Sequence, residues 1–159
     1  MAKVKFSLAN KDAATMALME KTDHRTLMRW ALDCAERVMP YFEQHYPDDK
    51  RPRQAIEAGE TWIATGVFKM TVIRKASLDA HAAARDVGED NPARSAAHAA
   101  GQAVATAHVP SHAIGAANYA LQALHRAAAP SDTGSVTSKE REWQYQHLLE
   151  LGKASAEGG

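Results

Sequence analysis

A chain of 159 residues is the usual length of one domain, enough to bury about 70% of the surface its unfolded form exposes. Its 19 basic and 19 acidic side chains cancel, so no global field draws it toward nucleic acid or an anionic membrane, and no run of strongly apolar residues is long enough to span one. A lone Cys34 excludes an internal disulfide and Met1 to Leu8 is too short and polar for a secretory leader, so a reducing, cytoplasmic location is expected.

Alanine fills about a fifth of the chain and favours helix nearly everywhere, because it loses no side-chain entropy on ordering. Asn10 is placed to cap a short helix over Lys11 to Lys21. Asp23 is placed to cap a longer one in which Leu27, Trp30, Ala31, Cys34 and Val38 fall at helical spacing. Pro40 removes a backbone donor inside that pattern, so a kink or break is expected near Met39 before the chain continues through Tyr41, Phe42 and Tyr46. Pro47, Asp48 and Asp49 read as a turn. Pro52 then opens a helix with Ile56, Gly59, Trp62 and Ile63 on one face, and Gly66 is its expected terminator. From Thr71 the pattern restarts: Ile73, Ala76, Ala80, Ala83 and Val87 form a narrow apolar stripe that ends at Gly88 and an acidic turn, Glu89 and Asp90.

Between Asn91 and Ala129 the only formal charges are Arg94 and Arg126. Pro92 starts one helix here and the Val109, Pro110, Ser111 corner starts the next. Ala97, Gly101, Val104 and His108 share a face of the first; His112, Gly115, Ala116 and Tyr119 share a face of the second. Faces built from Ala and Gly let backbones approach closely, which places this pair in the middle of the domain. Pro130 to Thr137 reads as a linker. Trp143, Gln146, His147 and Leu149 to Leu151 suggest a last amphipathic helix after Ser138, and Gly152 to Gly159 reads as a disordered tail. The expected fold is all-α: one domain over residues 1–151, with about seven short helices in a compact bundle or a HEAT-like array.

Side chains able to carry chemistry are few. His108 and His112 are four apart, with His81 and His98 close in sequence, a set that could converge on a transition metal. Pro110 lies between the first two and breaks the register, and the alternative is neutral, hydrogen-bonded histidines in a tight interface. Cys34 sits beside Trp30 and Val38 on an apolar stripe, the setting of a buried, inert thiol. Ser77, Ser95 and Ser111 have no nucleophile-elbow pattern around them, and Gly101 and Gly115 lie within helices and form no phosphate loop. Lys50, Arg51 and Arg53 form a small basic cluster that Asp48, Asp49, Glu57 and Glu60 are close enough to neutralise. No catalytic residue and no cofactor is indicated.

Three stretches carry a family resemblance. They are Trp30-Ala-Leu-Asp-Cys-Ala-Glu-Arg-Val38 with Pro40, Arg51-Pro-Arg-Gln-Ala-Ile-Glu-Ala58 with Trp62, and Ala100-Gly-Gln-Ala-Val-Ala-Thr-Ala-His108 leading to His112, Gly115, Ala116 and Tyr119. Over roughly Asp23 to Ala129 the chain resembles the immunity proteins of bacterial polymorphic-toxin systems, small helical proteins inferred to neutralise a cognate toxin. The resemblance implies a non-catalytic binding module whose partner is a toxin protein. The balanced charge does not point to a basic, nucleic-acid-cleaving partner. Candidate contact residues are the acidic turns, Asp48 with Asp49 and Asp86 with Glu89 and Asp90, and the aromatic residues Tyr41, Tyr46, Trp143 and Tyr145. A metal-binding protein or metal-dependent enzyme built on His81, His98, His108 and His112, and a homo-oligomeric helical scaffold, are the alternatives.

Overall fold

Three helices in this chain begin where a side chain caps the first turn. In a computed structural model, which describes residue 6 and residues 12–158, the Asp12 and Asp23 carboxylates accept the amides of Thr15 and Thr26 and so begin α1 (Ala13–Glu20) and α2 (His24–Glu36). Asn10 and Lys11, expected at the start of α1, lie outside the described residues. The expected break at Pro40 separates α2 from a short α3 (Met39–Glu43). Pro52 occupies the first turn of α4 (Arg51–Thr65), which stops at Gly66 with φ 68°, a left-handed conformation that suits glycine. α5 (Met70–Val87) ends in the same way at Gly88, and the Asn91 side chain accepts the Arg94 amide to start α6 (Pro92–Ala105). After the Pro110 corner comes α7 (His112–Ala127).

Two expectations for the carboxyl-terminal part are corrected. Where a linker was expected over Pro130 to Thr137, a 3-10 turn (Pro130–Asp132) leads directly into α8, which starts at Thr133. Thr133 and Glu140 are buried against the body of the protein, and that packing overrides the weak helix propensity of the Ser, Thr and Gly residues. Where a disordered tail was expected from Gly152, α8 continues through Gly158. Its Ser155 hydroxyl donates to the Asp23 carboxylate at 3.0 Å, which ties the last turns of α8 to the start of α2. The described residues thus form eight α-helices and one 3-10 turn, one α-helix more than the expected seven because the Pro40 break is complete.

α6 lies at the centre. It packs most extensively against α7 and α5 and also meets α2, α3 and α4. Six of its alanines are buried, together with Ser95, Gly101 and Val104, so the nearly charge-free segment is the interior its composition implied. Larger side chains fill the space on the α2 and α3 side, where Trp30, Leu32, Met39 and Phe42 are fully buried. The Trp30 Nε1–H donates to the Gln144 carbonyl at 2.8 Å, and the Gln144 amide donates to the Ala117 carbonyl at 3.0 Å, so buried polar groups hold α8 to both α2 and α7. Because α2 also touches α4, α6, α7 and α8, the helices close around one core; in a linear stack each would meet only its neighbours. This is the bundle, not the HEAT-like array. No helix among the described residues is long and apolar enough to cross a membrane.

Candidate functional site

Three regions hold the side chains singled out by the sequence, together with others that it did not single out. The first is the histidine layer between α5, α6 and α7. His81 Nδ1 and His98 Nδ1 lie 2.6 Å apart, so one neutral ring donates its N–H to the lone pair of the other. Two nitrogens bound to one tetrahedral zinc would stand about 3.3 Å apart, a separation set by the metal–nitrogen bond length. His98 also stacks on Tyr119, with ring centroids 4.9 Å apart. Burial, reinforced by the neighbouring His81, pushes the His98 pKa down to about 4; burial lowers that of His81 as well. A Cβ on Gly101 would lie 2.7 Å from His81 Nε2, so the glycine makes room for this ring.

The other two histidines face elsewhere. His112 Nδ1 donates to Gln102 Oε1 at 2.8 Å, and that same oxygen occupies the space beside Gly115 that a Cβ would take. His108 is exposed at the corner, its ring stacked on Phe68 with centroids 6.0 Å apart. The structure therefore joins His81 to His98 and leaves His108 and His112 with separate partners. Among the described residues no group of three or more His, Cys, Asp or Glu side chains is placed to hold a metal ion. Cys34 is fully buried, and burial holds its thiol well above the usual range.

The second region is a charged edge. The two acidic turns, distant in sequence, meet at Arg51, whose guanidinium donates to Asp49 Oδ2 at 2.7 Å and to Asp86 Oδ2 at 2.8 Å. The Arg51 hydrogen bond holds the Asp49 carboxyl below its ordinary value. Asp90 pairs with Arg94 at 3.2 Å and with Arg126 at 3.6 Å. Arg53 bridges Glu36 and Glu43 nearby. Asp48 and Glu89 are exposed, and Tyr46, 37% exposed, leans on Phe42. The other aromatic candidates are less open. Trp143 lies under the Arg37 guanidinium, 3.8 Å from the ring centre, and stacks on His147, while Tyr41 and Tyr145 are half-buried.

The third region was not singled out by the sequence. Val67, Phe68, Met70, Val72 and Leu78 are between 42% and 56% exposed and lie together in the α4–α5 connection and the first half of α5. They form a ridge, because the side chain of Ile73 turns inward and anchors α5 while its neighbours point out. A groove of about 370 Å³ runs on one side, against α4, lined by Thr61, Trp62, Thr65, Val67, Lys69 and Val72 among others. A second, of about 330 Å³, runs on the other side toward the α6–α7 corner, with Met70, Arg74, Ser77, Leu78, Ala105 and His108 in its wall. The available signal was negative. Val67, Phe68, Met70, Val72 and Leu78 are apolar yet fall outside the stripe of Ile73, Ala76, Ala80, Ala83 and Val87 that faces the core.

Fold and ridge together define an all-helical protein whose core is fully assembled and whose remaining large apolar side chains are concentrated on one face. Residues 17–151 match the family described as Imm-5 like putative immunity protein, and the chain belongs to that family. The match includes α2 to α7 and most of α8, and so contains the ridge and the charged edge. No curated protein and no solved structure matches the chain.

Proposed function

We propose that the protein is the immunity partner of a bacterial toxin, acting in the cytoplasm of the cell that makes both, and that it neutralises the toxin by binding it and not by catalysis. Membership of a family described as immunity-like supports this reading. The observation that carries the binding reading is the ridge: five large apolar side chains left exposed on a rigid helical body are a cost in water that a partner surface would relieve. The acidic residues first considered as contacts, Asp49, Asp86 and Asp90, already have arginine partners, so a toxin using them would first have to displace an intramolecular pair. Asp48, Glu89 and Tyr46 border that edge and are secondary contact candidates.

The test is co-expression with the product of a neighbouring toxin-like gene. Growth restored by this protein, with the two polypeptides copurifying as a stoichiometric complex, is the expected result. A toxin that continues to kill in the presence of abundant folded protein, with no complex recovered, would reject the proposal.

A further inference from the structure

The polar groups around the ridge are unevenly committed. The hydroxyls of Thr61, Thr65 and Ser77, which line the two grooves, donate inward to the carbonyls of Glu57, Thr61 and Gly101. Those donors are spent within the fold. Lys75 pairs with Asp79 one helical turn on. Lys69 in the first groove and Arg74 in the second are exposed, and neither has an ion pair among the described residues. Among the described residues no carboxylate lines either groove. Elsewhere on the surface Arg29, Arg37, Arg51, Arg53 and Arg94 are each held by one or more carboxylates. Lys21, Arg25, Lys50, Arg85, Lys139 and Lys153 are, like Lys69 and Arg74, exposed with no ion pair among the described residues. What sets Lys69 and Arg74 apart is their place in the walls of two apolar grooves. An apolar ridge with an exposed cation in the groove on each side favours a partner surface that is apolar at its centre and acidic at its rim.

We infer that the ridge and its two grooves receive an apolar segment flanked by carboxylates, carried by the toxin, with apolar side chains against Phe68, Val72 and Leu78 and carboxylates on Lys69 and Arg74. Such a segment brings the charge that the grooves lack and covers the apolar area that the fold leaves in water. Arg74 can engage a carboxylate with two parallel N–H donors, which fixes orientation as well as adding attraction. Trp62 in the wall of the first groove reports on its filling. The inference rests on the toxin-binding reading for the source of the segment, while the chemistry of the surface can be tested without the toxin.

Two synthetic amphipathic helices serve as probes, both with a leucine face, one flanked by glutamates and the other by lysines. Each is titrated into the full chain by calorimetry while tryptophan emission, to which Trp30, Trp62 and Trp143 all contribute, is followed. The glutamate peptide should bind at least about tenfold more tightly than the lysine peptide, and the paired substitution Lys69→Glu and Arg74→Glu should reverse that order. Equal binding of the two peptides, or no binding of either, overturns the inference. So does a concentration-dependent dimer that Leu78→Asp dissolves, because the ridge would then be covered by a second copy of the chain. In the co-expression assay, a Phe68→Asp, Leu78→Asp variant that keeps its helical signal should lose protection. If that variant protects as well as the original chain, the surface assignment fails and the toxin-binding reading stands. If the original chain itself does not protect, that reading fails, and the peptide preference alone decides the chemistry of the grooves.

Discussion

The charged edge around Arg51 and the apolar ridge at the start of α5 are both exposed and both sit at junctions between helices, yet they differ in what is left to satisfy. At the edge, Asp49 and Asp86 converge on one guanidinium, and Asp90 is shared by Arg94 and Arg126. At the ridge, the apolar side chains stay 42% to 56% exposed, and Lys69 and Arg74 have no ion pair among the described residues. Charge density alone is therefore a poor guide to a binding surface. An ion-paired cluster at a surface contributes little to stability and has little free valence for a partner. A desolvatable apolar face with unmatched charge at its rim has both the driving force and the selectivity that association needs.

The comparison can be broken at several points. The largest effect is expected from Phe68→Asp with Leu78→Asp, which should weaken toxin binding by about a hundredfold or more, as loss of central apolar anchors does, while the thermal midpoint stays close to that of the original chain. Calorimetric titration and a melting curve on the same preparation check both halves. Next comes the layer that carries the ridge. Gly101→Val would push atoms into the space held by His81 and should cost about 1–3 kcal/mol in chemical denaturation, the usual range for overpacking, without changing the binding constant of the fraction that folds.

The third effect is a pH dependence located at the same layer. His81 and His98 have depressed pKa values, so the folded state prefers them neutral, and above pH 6.5 they contribute no penalty. As pH falls from about 6.5 toward 4, the unfolded chain gains protons that the fold resists, so stability should decline across that window and level off once His98 is protonated in the folded state. Below it, the carboxylates with depressed values, among them Asp49, Glu43 and Glu60, give a separate loss. Denaturation midpoints measured from pH 7.5 to 4 should fall less steeply in a His98→Phe variant; an unchanged slope would remove the histidine pair as the cause. The smallest effect belongs to the edge. Arg51→Ala should lower stability by no more than about 1 kcal/mol and leave toxin binding unchanged. A large drop in affinity there would erase the distinction between the two regions.

Much of the fold was legible from local chemistry. Pro52, Gly66, Gly88 and Asn91 stand at helix boundaries, the Pro40 break falls near Met39, and the low-charge segment is the central α6–α7 pair. The start of α8 was not legible, because Thr133 and Ser135 have turn-like preferences that only packing of the buried Thr133 and Glu140 overrides. The meeting of the two acidic turns was hidden for a different reason: Arg51 and Asp86 are 35 residues apart, and no periodicity reports a contact at that separation. The four histidines looked equivalent in sequence. Space beside Gly101 and Gly115 sorts them, with His81 on His98 and His112 on Gln102, and that sorting depends on helix approach distances that spacing does not encode. The ridge was legible only as a residue of the helical pattern, apolar positions that the core-facing stripe of α5 leaves over.

The most direct measurement is hydrogen exchange of the protein alone and in complex with the toxin partner proposed for it, once co-expression has identified that partner. The account predicts that amides from Val67 to Leu78, together with Thr61 to Thr65 across the first groove, become protected on binding while those from Tyr46 to Arg51 and from Asp86 to Asp90 exchange as before. Protection confined to the Arg51 edge, with the ridge unchanged, would contradict it.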